Sequence, residues 1–352
     1  MPERAAELAR ALRRGVEQGV APAMSLCLWR DGAPLVELAA GAAHRDTVFD
    51  LASLTKPLAT ATLAVDLASR EKLPWRTTLG QAWGPAVPED KADITVSQLL
   101  CHAAGFPAYR PYFTALERQA PPGRRGFLKA MLLNEPLENA PGTAAVYSDL
   151  GFLLLGLLLE DHAGWRLEKA VSRAHAKLVD DPPRYLPLNG GEVWPLERIA
   201  PCGPLPGRPL IHGQVEDENA FALGGVAGHA GLFGSARQAA ALMDALARAA
   251  KGDGPWRPEL AARLFRRDAA TPGSTRTPGF DTPGGELSAA GQNPPAGAVG
   301  HLGFTGVSLW WQPAGNRGAA LLTNRVALGR DNDKIKAFRH EMYNLIWPLL
   351  GL

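Results

Sequence analysis

The chain has 352 residues, with 37 Lys and Arg against 35 Asp and Glu, and 46% of its residues are hydrophobic. That length supports a large core and two structural regions, and the composition is that of a globular protein. A net charge of +2 creates no field to draw nucleic acid or a membrane surface, so the expected partner is a small molecule. Cys27, Cys101 and Cys202 are too few and too far apart for a disulfide framework or a zinc site, which predicts buried thiols and no metal.

In chain order, the N-terminal "MPERAAELARALRRGVEQGV" reads as an amphipathic helix with Leu8, Leu12 and Val16 on one face. It has no apolar stretch before a cleavage site, so a cytoplasmic location is expected, or a periplasmic one if a leader was removed. "SLCLWRDGAPLVELAAG" predicts a hairpin about Asp31-Gly32. From Thr55 to about Ala250 the pattern is mostly helical. A capping box at Thr95 and Gln98 opens a helix expected to stop at Gly105, and further helices are expected to stop at Gly164 and Gly252. The run "LGFLLLGLLL" is bracketed by Asp149 and Glu160. It is too short to cross a bilayer, which needs roughly 20 residues, and reads as a buried helix.

Residues 180–210 read as an irregular insertion, and the Gly- and Pro-rich residues 268–299 as a long loop of the functional kind. Two strands about Gly315-Asn316 and a closing helix follow. The whole predicts an α/β (α+β) fold. Residues 1–54 and 296–352 form a sheet region with a helix at each end, and 55–295 a mostly helical region, joined as one unit with a cleft between them.

The chemistry centres on "FDLASLTKPLAT". A serine hydroxyl needs a base, and a lysine whose pKa is lowered by burial or a neighbouring cation can serve. At i and i+3 of a helix, Ser53 and Lys56 share a face. Pro57 is tolerated only in a first turn, so the helix is predicted to begin near Ser53, where free N–H groups favour an oxyanion. The spacing alone is weak: Ser69 and Lys72 repeat it at a helix end, where the dipole has the wrong sign. Read by itself, Ser53 is as well explained as a helix N-cap.

Two further stretches fit. Tyr147, in "VYSDLGF", can share a proton with Lys56, whose ammonium would lower the phenol pKa. In "GHLGFTG", Gly303 after His301 lets substrate approach the backbone, and the Phe304 N–H becomes a second oxyanion donor beside that of Ser53.

The ordered set Ser53-x-x-Lys56, Tyr147-x-Asp149 and His301-x-Gly303 resembles the serine β-lactamase and penicillin-recognising superfamily, nearest the class C β-lactamases and their esterase and peptidase relatives. "SQLLCHAAGFP" and "GGVAGHAGLFGSARQ" look like further landmarks of it. The resemblance implies a β-lactamase-like fold, no cofactor, Ser53 as acylated nucleophile, Lys56 as its base and Tyr147 as the partner in proton transfer. Two departures stand out. Asp149 replaces an asparagine that donates to substrate; it can pair with Lys56 or favour a substrate bearing an amine. His301 replaces the lysine that meets a β-lactam carboxylate, and its charge is expected to vary near pH 6.5. Both suit an ester or small amide.

The alternatives are a β-lactamase or D-amino-acid peptidase of the DD-carboxypeptidase kind, and a catalytically silent binding protein. His229 is read either as a cleft residue or as a loop hydrogen-bonder. His102 is read as structural, His212 as a surface loop residue, and Trp310 and Trp311 as facing opposite sides of a strand.

Overall fold

The computed structural model describes residues 2–190, 193–285 and 287–352. The hairpin forms as β1 (Ala23–Arg30) and β2 (Ala33–Gly41), with Asp31 at φ 57° and Gly32 at φ 80° in its turn. Further strands follow: β3 (Phe49–Asp50), β4 (Arg184–Tyr185), β5 (Leu232–Gly234), β6 (Val299–Leu302), β7 (Ser308–Gln312) and β8 (Arg317–Thr323). The main sheet is antiparallel in the order β2-β1-β8-β7-β6, so β1 pairs with a strand almost 300 residues away, Met24 opposite Thr323. The order β3-β5-β4 forms a second, three-stranded sheet that the sequence pattern did not reveal.

Alternation along the strands divides the core. One face of the main sheet turns Leu26, Leu28, Trp310 and Leu321 toward the helices α1 (Pro2–Glu17) and, at the far end of the chain, Ile335–Leu349. The other face turns Cys27, Trp29, Trp311 and Leu322 toward the remaining helices. Trp310 and Trp311 thus part to opposite faces, and both are buried. The helix Ala236–Ala249, capped by Ser235 and Gln238, packs on β1 and β8 although it belongs in sequence to the helical stretch.

Three helices place the site. Taken in chain order after α1, they are α2 (Thr62–Ser69), α3 (Asp149–Ala163) and α4, the closing helix Ile335–Leu349 just mentioned. Ser148 caps α3 by accepting the Gly151 N–H at 3.1 Å, and Gly164 ends it in the left-handed conformation at φ 68°. Leu150 to Leu159 are all buried, as a core helix requires. The helix opened by Thr95 has its capping box but ends at Leu100, not Gly105, because His102 turns left-handed at φ 58° and breaks the spiral. Among the described residues, 265–298 contain neither helix nor strand. Among the described residues no helix is long and apolar enough to cross a membrane, and no acidic, His and Cys cluster has the makings of a metal site.

Candidate active site

Ser53 lies on a tight turn rather than on a regular helix. Ala52 to Leu54 form a 3-10 turn, Lys56 to Ala61 a π-helical stretch, and the α-helical spiral of α2 is reached only at Thr62. Pro57 supplies the reason in part, since it lacks the N–H that a regular turn would use. π-helical turns inside helices are frequent at functional sites. Ala52 sits at φ 46°, a costly conformation for a residue with a Cβ. Asp50 holds it there: its carboxylate accepts the Ala52 N–H at 2.8 Å and, on its other oxygen, the Glu216 N–H at 2.7 Å. Burial pushes the Asp50 carboxyl up to about 7, against these two hydrogen bonds. The Ser53 side chain caps no helix; its Oγ accepts from Lys56 Nζ at 2.9 Å.

Lys56 is fully buried and gathers the site around its ammonium group. Besides Ser53, Nζ donates to His229 O at 3.3 Å, lies 2.7 Å from Asp149 Oδ1, and stands 4.7 Å from the centroid of the Tyr147 ring. Burial alone would pull its pKa down, but Asp149 and then Tyr147 more than reverse this, and the pKa is raised above that of an ordinary lysine. The expectation of a lysine made basic by a lowered pKa is therefore corrected: at rest Lys56 is an ammonium ion because Asp149 stands beside it. Tyr147 differs from expectation in the same way. Burial raises its phenol, and Lys56 only partly offsets that.

The ring of Tyr147 is packed by its neighbours. His102 lies 4.6 Å away, centroid to centroid, and itself rests on Phe152 at 4.8 Å. His102 Nδ1 accepts the Ser148 N–H at 3.0 Å, and its main-chain oxygen accepts the Val146 N–H at 3.0 Å. The structural histidine of the sequence reading is thus the platform that sets Tyr147 and the start of α3.

His301, on β6, is 4% exposed. Nδ1 lies 2.7 Å from Leu302 O, and its ring stands 5.8 Å from that of Tyr147. Burial, followed by the Lys56 charge, pushes its pKa down to about 3. It is neutral throughout the physiological range and does not titrate near pH 6.5, because burial, and after it the Lys56 charge, disfavours the imidazolium.

Gly303 has a stricter reason to be glycine than substrate access. A Cβ there would run into Val307 and stand 2.9 Å from Leu51 O and 3.2 Å from Ala52 Cβ. The 303–306 turn lies directly against the Ser53 turn, and Thr305 Oγ1 pins the two by donating to Asp50 O at 2.8 Å. Neither the Ser53 nor the Phe304 N–H has a hydrogen-bond acceptor among the described residues. The Phe304 side chain is exposed at the mouth of the cleft, with Tyr109 and Leu302.

His229 reaches the cleft because the 224–231 loop lies tight on α3, where a Cβ at Gly228 would fall on Phe152 O. Thr60 Oγ1 donates to Gly228 O at 2.5 Å and fixes the loop above Lys56. His229 does both things its sequence context suggested: it lines the cleft, and its Nε2 pairs with Asp217 Oδ1 at 2.9 Å. Burial would raise the Asp217 carboxyl, but His229 outweighs it and brings it to about 2. His212 bonds Ile199 O through Nε2 at 2.7 Å, away from the cleft.

The cleft has a volume of about 990 Å3, with Ser53, Tyr147, Asp149, His229, His301 and Gly303 on its walls. Several lining residues carry no motif. Arg276, from the long 268–299 loop, lies over the Tyr147 ring at 5.3 Å and pairs with Asp281 at 2.7 Å. Arg330 pairs with Glu216 at 2.6 Å and Glu218 at 2.8 Å. The one sequence signal available was Arg339, a charge set into the buried stripe of Ile335, Met342, Tyr343 and Ile346.

Known proteins resemble this chain over most of its length. The β-lactamase family profile matches residues 8–342. An N-acetylmuramyl-L-alanine amidase of Bacillus subtilis is 31% identical over 307 residues, covering 79% of this chain and 68% of that protein. An Escherichia coli O157:H7 protein assigned by name to the D-alanyl-D-alanine carboxypeptidases is 28% identical, over 92% of this chain and 82% of its own. Among solved structures, a penicillin-binding protein homologue from Caulobacter crescentus superposes with a TM-score of 0.73 at 20% identity, covering 99% of this chain and 98% of that one. EstCE1, a hydrolase with promiscuous acyltransferase activity, superposes with a TM-score of 0.71 at 20% identity, covering 98% and 99%. These two likenesses speak for the β-lactamase-like fold. The chain belongs to the β-lactamase family of serine hydrolases.

Proposed function

From that membership, we propose that the chain hydrolyses an ester or small amide through an acyl-enzyme on Ser53. One observation carries the reading: Lys56 Nζ lies 2.9 Å from Ser53 Oγ on the wall of a large cleft. Ser53 Oγ attacks the substrate carbonyl carbon, and the carbonyl oxygen gains negative charge between the N–H groups of Ser53 and Phe304. The serine proton passes to Lys56 as Lys56 yields one of its own to the Asp149 carboxylate. Asp149 is the counter-charge that makes this an exchange within one neutral pair. As the tetrahedral adduct collapses, the bond to the alcohol or amine breaks and the proton returns to the leaving group through Lys56 and Tyr147. Water then repeats the attack and frees Ser53.

The preference for an uncharged ester follows from the cations of the cleft. His301 is neutral, Arg276 is engaged by Asp281, and Arg330 by Glu216 and Glu218. A β-lactam carboxylate would have to displace Asp281, or Glu216 and Glu218, to be held by either arginine. The exposed Tyr109, Leu302 and Phe304 offer apolar contact instead. A second reading, a peptidase for D-amino-acid substrates, is favoured by Arg276, which needs only to exchange Asp281 for a substrate carboxylate.

The test is Ser53→Ala assayed with a chromogenic short-chain ester. Turnover should vanish while the circular dichroism spectrum is kept; unchanged turnover rejects the mechanism. A panel of esters, D-amino-acid amides and β-lactams separates the two readings, and a fluorescent phosphonate that labels Ser53 excludes a silent binding protein.

A further inference from the structure

Behind the 303–307 turn lies a cation without a counter-ion. Arg339 of α4 is 6% exposed, and no carboxylate pairs with it among the described residues. Burial, and after it the Arg325 charge, lowers its pKa to about 10, which leaves it charged at neutral pH. A buried cation with no partner is costly and calls for a reason. Its Nη2 donates to Gly303 O at 2.9 Å and Val307 O at 2.7 Å.

Gly303 O belongs to the peptide group whose other end is the Phe304 N–H. In a trans peptide the two point in opposite directions. With the guanidinium on the oxygen from the α4 side, the N–H is turned the other way, where it has no acceptor among the described residues. Hydrogen bonds joined through one peptide polarise one another, and a bond to a charged donor is roughly twice as strong as a neutral one. Arg325 steadies the following peptide by donating from Nε to Phe304 O at 2.9 Å.

We propose that Arg339 is a positioning residue of the oxyanion site: through the Gly303–Phe304 peptide, its charge strengthens the Phe304 N–H as a donor to the oxyanion formed on attack by Ser53. This rests on the reading of Ser53 as nucleophile and of the Phe304 N–H as oxyanion donor. A neutral side chain in the same place would hold the turn but not polarise it, and that distinction can be measured.

The experiment compares wild type with Arg339→Gln, which keeps a donor and removes the charge, and Arg339→Lys, which keeps the charge. Each is first labelled with a phosphonate to count live Ser53. Then kcat and KM are measured on an ester whose acyl-enzyme accumulates, and the acyl carbonyl stretch is recorded by isotope-edited infrared difference spectroscopy. Removing an oxyanion donor outright costs about 10²–10³-fold, so weakening one should lower kcat by about tenfold in Arg339→Gln. KM should stay within threefold, and the carbonyl band should move to higher frequency. Arg339→Lys should keep the wild-type band and most of kcat.

A labelled Arg339→Gln with wild-type kcat and an unmoved band overturns the proposal, as does an equal fall in both variants with no band shift. Should Arg339→Gln fail to fold, the Lys variant decides: the wild-type band and kcat support the proposal, and a tenfold loss without band movement overturns it. Wild type that does not label at Ser53 overturns the nucleophile reading instead, so the two failures are distinguishable.

Discussion

Gly303→Ala tests whether the two proposed oxyanion donors, the N–H groups of Ser53 and Phe304, are set by the contact between their turns. The new methyl would stand 2.9 Å from Leu51 O and 3.2 Å from Ala52 Cβ, where ordinary contact begins at 3.4 Å. Leu51 is backbone just before the nucleophile turn, so it cannot yield by a rotamer change. Relief requires the turns to part by about 0.5 Å, with Val307 displaced as well. The Ser53 and Phe304 N–H groups lie on opposite sides of that contact. A misplacement of 1 Å in a reacting site costs on the order of 10²-fold, so about half of it should cost roughly tenfold in kcat, or about 1.4 kcal/mol of barrier. Overpacking should also lower unfolding stability by about 1–3 kcal/mol. The assay is ester turnover normalised to phosphonate-labelled Ser53, with urea denaturation alongside. A variant with kcat within twofold of wild type and unchanged stability would refute the claim that packing of these turns sets the donors.

Other outcomes follow from the same geometry. Asp149→Asn removes the carboxylate that takes the Lys56 proton in the proposed exchange, so attack then needs Lys56 itself neutral; the acid limb of the kcat/KM pH profile should move to higher pH, and an unmoved limb would count against that exchange. Asp50, raised to about 7 by burial, holds its proton more tightly folded than unfolded. The associated stability is therefore full below about pH 4 and is lost as pH rises through 7, by up to about 4 kcal/mol. Urea midpoints should fall between pH 5 and pH 8 in wild type and flatten in Asp50→Asn. Leu154→Ala, at a fully buried position of α3, should cost about 2–5 kcal/mol by equilibrium unfolding.

Much of the candidate site was legible because its residues lie in short motifs. Ser53, Lys56 and Tyr147 come together as their order in the chain suggested, and the hairpin at Asp31-Gly32, the caps at Thr95 and Ser235, and the stop at Gly164 are local devices that a local reading finds. What escaped depends on distant neighbours. The state of Lys56 turns on Asp149, and that of His301 on burial beside Lys56, neither of which is fixed by residue type. The strands β3, β4 and β5 are two or three residues long and show no periodicity of their own. The 3-10 and π turns around Ser53 follow from Asp50 gripping Ala52 and from Pro57, a combination that a search for helix starts reads as an ordinary first turn.

The pairing of β1 with β8 has a consequence for how the protein comes into being. Strand β1 is made almost 300 residues before its partner at residues 317–323, and the clamp on the 303–307 turn comes from a helix made after both. Before that point the growing polypeptide carries a hydroxyl and an amine at Ser53 and Lys56 without the 303–306 turn that packs against them. Contacts so far apart in sequence also slow folding. Until residues 317–349 have been made, neither β1 nor the 303–307 turn has its partner.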